Sequence, residues 1–87
     1  MKVVINDCHG GFGLSQKALD FLGIESEYDI SRDDPELIKY VETLKEEANG
    51  NCAKLKIIEI PDDVEYVIEE YDGAEWIAEK HRTWGLD

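Results

Sequence analysis

Positive charge is in short supply in this chain: nine Lys and Arg stand against 21 Asp and Glu in 87 residues, a formal net charge of −12. A surface of that sign repels a phosphate backbone, so general DNA or RNA binding is not expected. It says less about a small anion, for which a few local donors suffice. Cysteine is scarcer still, and Cys8 and Cys52 are too few for a disulfide framework. Long apolar runs are missing as well. Nothing approaches the roughly 18 apolar residues of a membrane span, and the opening MKVVIND lacks the apolar core of a signal peptide. These absences point to a soluble chain with no membrane association, at home in a reducing cytoplasm with both thiols free.

What is present suffices for one α+β domain over residues 1–87. The apolar fraction of 43% can fill one core. A chain this short buries only about 60–65% of its unfolded surface, so its stability is marginal unless subunits associate. Phe12, Phe21, Trp76 and Trp84 exceed what such a core hides, which predicts a homo-oligomer.

The elements can be placed from local signals. KVVIN (2–6) reads as a buried strand. Ser15 is a good helix N-cap, Leu14 and Leu19 form a hydrophobic staple, and Gly23 ends the helix near Leu22. IESEYDIS (24–31) reads as loop. Asp34 caps a second helix, Pro35 takes its first position, and Asn49-Gly50 closes it. Leu37, Ile38, Val41, Leu44 and Ala48 share its inward stripe, with Glu42, Lys45, Glu46 and Glu47 outside.

AKLKIIEI (53–60) alternates as a strand whose phase slips at Ile57-Ile58, implying a bulge or burial on both faces. VEYVIEEY (64–71) follows the Pro61-Asp62-Asp63 turn, and Asp72-Gly73 is a strong hairpin signal. Residues 74–84 fit a helical stripe or a strand face; the hairpin turn favours the strand. The expected architecture is an N-terminal strand, two helices and a C-terminal antiparallel meander.

NDCHGGFGLSQKA (6–18) places three glycines in four positions between strand and helix. A strand, a glycine turn and a helix N-terminus together can hold a phosphate through backbone N–H groups. The segment is equally compatible with an ordinary tight turn, since it is neither a P-loop nor G-x-G-x-x-G. In the functional reading Gly10, Gly11, Gly13 and Ser15 cradle the phosphate, and Phe12 stacks on a ring or plugs the core.

The only two arginines, Arg32 and Arg82, suit bidentate contacts to phosphate or carboxylate. A local ion pair with Asp33 and Asp34 competes for Arg32. Arg82 sits in His81-Arg82-Thr83-Trp84, beside an aromatic able to stack on a base. Asp7, Cys8 and His9, with Cys52 and His81, supply metal-type ligands but no zinc-finger spacing, so no metal and no cofactor are expected. A Cys8–His81 catalytic pair lacks a third group. The acidic stretch Glu65–Glu79 reads as the outer face of a hairpin, or as a mimic of a phosphate backbone.

VINDCHGGFGLSQKA, SRDDPELIKYVETLKEEANGNCAKLKIIEIPDDVEYVIEEYDG and EWIAEKHRTW resemble a family of small proteins of tailed bacteriophages and prophages. The resemblance spans the chain outside residues 23–30, and His9 departs from it where similar proteins often carry Tyr. It implies a phage accessory protein acting in the bacterial host cytoplasm. By analogy with other small phage proteins, it suggests a non-enzymatic sponge for a phosphorylated nucleotide signal of Thoeris- or CBASS-type immunity. Gly10, Gly11, Phe12, Gly13, Ser15, Arg32, His81, Arg82 and Trp84 are its expected ligand-binding residues. Two alternatives are an acidic, DNA-mimic-like inhibitor of a host protein and a metal-dependent phosphodiesterase using Asp7, His9 and His81.

Overall fold

Val3, Val4 and Ile5, all but fully buried, make strand β1 (Lys2–Asn6) the centre of the molecule. In a computed structural model that describes residues 1–79, β1 pairs antiparallel with β2 (Leu55–Glu59). β3 (Tyr66–Tyr71) pairs antiparallel with β4 (Ala74–Glu79). With helices α1 (Gln16–Leu22) and α2 (Pro35–Leu44) they form the expected α+β architecture. β1 is also bonded on its other side, where the Val4 amide donates to the Arg32 carbonyl (2.9 Å).

The β1–β2 pairing is continuous, with Val4 opposite Ile57 and Val3 opposite Ile58. Directly opposed residues share a face. Ile57 and Leu55 pack with Val4 on the helical core, whereas Ile5, Lys56 and Ile58 line a groove shared with β4. The phase slip at Ile57-Ile58 therefore records burial on both faces and not a bulge. β2 pairs with β1 and not with β3, so the C-terminal strands form a separate β3–β4 hairpin and not a continuous three-stranded meander. The helices cover one face of the β1–β2 pair, and β4 of the hairpin packs against β1.

Ser15 caps α1 by accepting from the Ala18 amide (3.2 Å). Gly23 closes it at φ 69°, a left-handed conformation that glycine adopts without a Cβ clash. Leu14 and Leu19 are both buried in the core. The segment read as loop contains a short 3₁₀ turn, Glu27–Asp29, closed by a Ser26/Asp29 capping box.

Asp34 and Pro35 start α2 as expected, with the Asp34 carboxylate accepting from the Glu36 amide (2.8 Å). The helix ends earlier than its stripe suggested. At Lys45 the backbone swings to φ 54° and a 3₁₀ turn, Lys45–Ala48, takes over. The reason lies across the chain: the Ser15 amide donates to the Ala48 carbonyl (2.8 Å) and the Ser15 hydroxyl to the Glu47 carbonyl (2.7 Å). These bonds draw Ala48 fully into the core. Tyr40 joins the buried face too, its hydroxyl donating to the Lys17 carbonyl (3.2 Å). The hairpin turn is formed by Asp72 (φ 51°) and Gly73 (φ 91°), the two left-handed residues of a type I′ turn.

Candidate functional site: the glycine loop

The glycine loop is where three backbone turns meet. Residues 8–13 lie against the turn at 49–53 and against the tip of the β3–β4 hairpin. A Cβ on Gly10 would stand 1.8 Å from the Cys52 carbonyl oxygen, and one on Gly73 would stand 2.5 Å from the Gly11 nitrogen and the His9 oxygen. Glycine is needed at these positions so that main chains can touch.

Asn6 ties the turns together. Fully buried, its Nδ2 donates to the carbonyls of Cys8 and Gly73 (both 2.7 Å). Its Oδ1 accepts from the Lys54 amide (2.8 Å) and lies 3.5 Å from the Cys8 sulfur. A buried amide with its donors and acceptor all engaged fixes one arrangement of the segments it joins. Nothing in the sequence distinguished Asn6 from a strand-ending residue.

Arg32 sits beside this hub, committed to protein partners. Its Nη1 and Nη2 donate to Oε1 and Oε2 of Glu75 at 2.7 and 2.8 Å. Nη1 also donates to the Val4 carbonyl (3.3 Å). The guanidinium carbon lies 3.5 Å from the Phe12 ring centroid, a cation–π stack. Glu75 Oε1 further accepts from the Asn6 amide (2.8 Å). Arg32 therefore pairs with a carboxylate 43 residues away, not with Asp33 or Asp34, and one fork of its donors is already filled. Phe12 takes the core-plugging role: it packs on the core, and its ring carries the Arg32 guanidinium.

The loop leaves a hollow of about 330 Å³ on its outer side, lined by Gly10–Leu14, Glu27 and Gly50–Ala53. The amides of Gly10, Phe12, Gly13, Asn51 and Cys52 face no protein acceptor among the described residues. No Lys or Arg belongs to its lining. Four predicted site residues, Gly10, Gly11, Phe12 and Gly13, come together here. The Ser15 hydroxyl is not among them, because its lone pair and proton serve Ala18 and Glu47. His81, Arg82 and Trp84 lie outside the described residues.

Asp7, Cys8, His9 and Cys52 form no group of three or more metal-ligating side chains among the described residues. No helix among those residues is long and apolar enough to cross a membrane. The chain matches no known family profile, no curated protein and no solved structure.

Proposed function

We propose that the protein is a non-enzymatic capture protein whose glycine hollow takes the phosphate of a small nucleotide. One observation carries this reading: Gly10, Phe12, Gly13, Asn51 and Cys52, from two chain segments, line one hollow, and their amides have no protein acceptor among the described residues. Free backbone N–H groups turned into such a hollow would hold anionic oxygens without a basic surface. Phe12 in the wall offers an apolar edge for a sugar or base. His81, Arg82 and Trp84 enter the reading on the sequence alone, Arg82 as the cation that the hollow's own lining lacks, Trp84 as a stacking ring and His81 as a further polar contact. The resemblance to phage proteins makes the proposed setting a bacterial host, and the proposed ligand a cyclic nucleotide of its immunity.

A second reading is favoured by a different surface. Val67, Tyr71 and Trp76 are exposed on the β3–β4 hairpin, among Glu69, Glu70, Asp72 and Glu79. A groove of about 480 Å³ beside it is lined by the apolar Ile5, Ile58, Ile60 and Ile77, with the acidic Asp7 and Glu79 and one lysine, Lys56; its remaining acid, Glu75, is already paired with Arg32. That combination suits a basic protein partner.

One experiment separates the two. The protein is incubated with a bacterial nucleotide extract, recovered, and heat-denatured, and the supernatant is analysed by mass spectrometry. Release of an intact nucleotide is the expected result. An altered nucleotide would indicate catalysis, and no nucleotide at all would leave the hairpin surface as the functional one.

A further inference from the structure

The packing of residues 8–10 against the 49–53 turn brings the chain's two cysteines together although they are 44 residues apart in sequence. The Cys8 thiol donates to the Cys52 carbonyl oxygen at 2.8 Å. Cys52 is exposed and Cys8 half-buried, so Cys52 is the more accessible residue of the two. We propose that Cys8 and Cys52 form a reversible disulfide at this site, an oxidative modification by hydroperoxides or small-molecule disulfides. The inference stands on this contact alone and is independent of any nucleotide ligand.

The contact bounds the separation of the two residues, and a small shift of the 49–53 turn completes the approach. Standard bond lengths place the Cα atoms of the two residues no more than roughly 8 Å apart, given that single contact. Disulfides span about 4.4–6.8 Å between Cα atoms. Any remaining gap can be closed by a χ1 change at exposed Cys52 and a small shift of its turn. The missing Cβ of Gly10, which would stand 2.4 Å from the Cys52 Cβ, is what lets the two turns come this close.

The chemistry balances in two steps. With a hydroperoxide, the Cys52 thiolate attacks the peroxide oxygen and becomes a sulfenic acid while water or an alcohol leaves. The Cys8 thiolate then attacks the Cys52 sulfur, forming the S–S bond and expelling hydroxide, which is protonated to water. With oxidised glutathione, Cys52 displaces one glutathione and Cys8 displaces the second. In both cases two thiols lose two electrons and two protons to a named oxidant. The product links the wall of the hollow at Cys52 to the end of β1.

The test uses the reduced full-length chain, treated with oxidised glutathione or hydrogen peroxide and read by intact mass and peptide mapping. The expected product is a monomer lighter by two hydrogens, with a Cys8–Cys52 cross-linked peptide and free thiols falling from two to none. Dithiothreitol should restore both. Cys8→Ser should instead accumulate glutathione on Cys52, because the resolving thiol is gone. Separate glutathione adducts on both cysteines of the unmodified chain, or disulfide-linked dimers in place of the internal bond, would overturn the proposal. Those outcomes are read on the native sequence, so the proposal survives or falls even if Cys8→Ser does not fold.

Discussion

Replacing Glu75 by Gln tests the polar hub with the least change of shape. In the native protein Glu75 is 9% exposed and Arg32 21% exposed at the side chain. The pair is bidentate and roofed by Phe12. Removing one partner of a fully buried ion pair costs about 3–5 kcal/mol, because the other charge stays in a poor solvent. Arg32 keeps a little water, and the new amide oxygen still accepts one hydrogen bond. The expected loss is therefore smaller, about 2–3 kcal/mol.

For a domain of this length the total stability is of the order of 4–13 kcal/mol, so the loss is a large share of it. With a urea m value of about 1 kcal/mol/M, the midpoint should fall by about 2–3 M. Hydrogen exchange should show where the loss falls: amides of β3 and β4 should become exposed together, because Glu75 fastens the hairpin to β1. The double variant Arg32→Met with Glu75→Leu should regain only part of the stability: an apolar pair replaces a desolvated ionic one, but the Asn6 amide loses its acceptor. A loss below about 0.5 kcal/mol in Glu75→Gln, the range of an exposed surface pair, would refute this account of the hub.

Two further substitutions probe the glycine loop, and one probes pH dependence. Gly10→Ala should destabilise by about 2–3 kcal/mol, since overpacking against a fixed backbone costs that much; thermal unfolding of the purified variant checks it. Gly11→Ala meets nothing within 4 Å but must hold φ 93°, which costs about 1–2 kcal/mol, so it should be the milder of the two. Burial, followed by the Asp33 carboxylate, raises the Tyr66 hydroxyl above its ordinary value of 10.0. Its stabilising contribution is thus complete below pH 10 and is lost as pH rises from there through the folded-state value, where only the unfolded chain ionises readily. Tyr66→Phe should flatten that loss in urea titrations run between pH 9 and 11, and parallel curves for the two proteins would contradict it.

Local chemistry in the sequence carried local structure. Ser15 and Gly23 bounded α1, Asp34-Pro35 opened α2, and Asp72-Gly73 turned the hairpin, because each acts within a few residues of itself. Long-range pairing was not legible in the same way. Arg32 had two acidic neighbours, Asp33 and Asp34, and its actual partner Glu75 becomes a neighbour only once β4 crosses the end of β1. The break at Lys45 is imposed by Ser15, some thirty residues earlier, against a helical stripe that continued to Ala48.

The candidate site shows the same division. Three glycines announced an unusual backbone, and Gly10, Gly11, Phe12 and Gly13 do line one hollow. Their spacing did not reveal that Gly10 also admits Cys52, or that Gly73 admits the loop itself. Those demands come from other segments. Asn6, the residue that joins the turns, carried no signal because a strand-ending Asn is ordinary until its four partners converge on it.

The claim that the hollow is a nucleotide site is tested most directly by amide NMR of the ¹⁵N-labelled protein during titration with cyclic ADP-ribose and, separately, a cyclic dinucleotide. The account predicts that one of them shifts the amide signals of Gly10, Phe12, Gly13, Asn51 and Cys52 first and furthest, while the β3–β4 hairpin amides stay in place. Saturable shifts confined to the hairpin, or no shifts with either nucleotide at millimolar concentration, would contradict it.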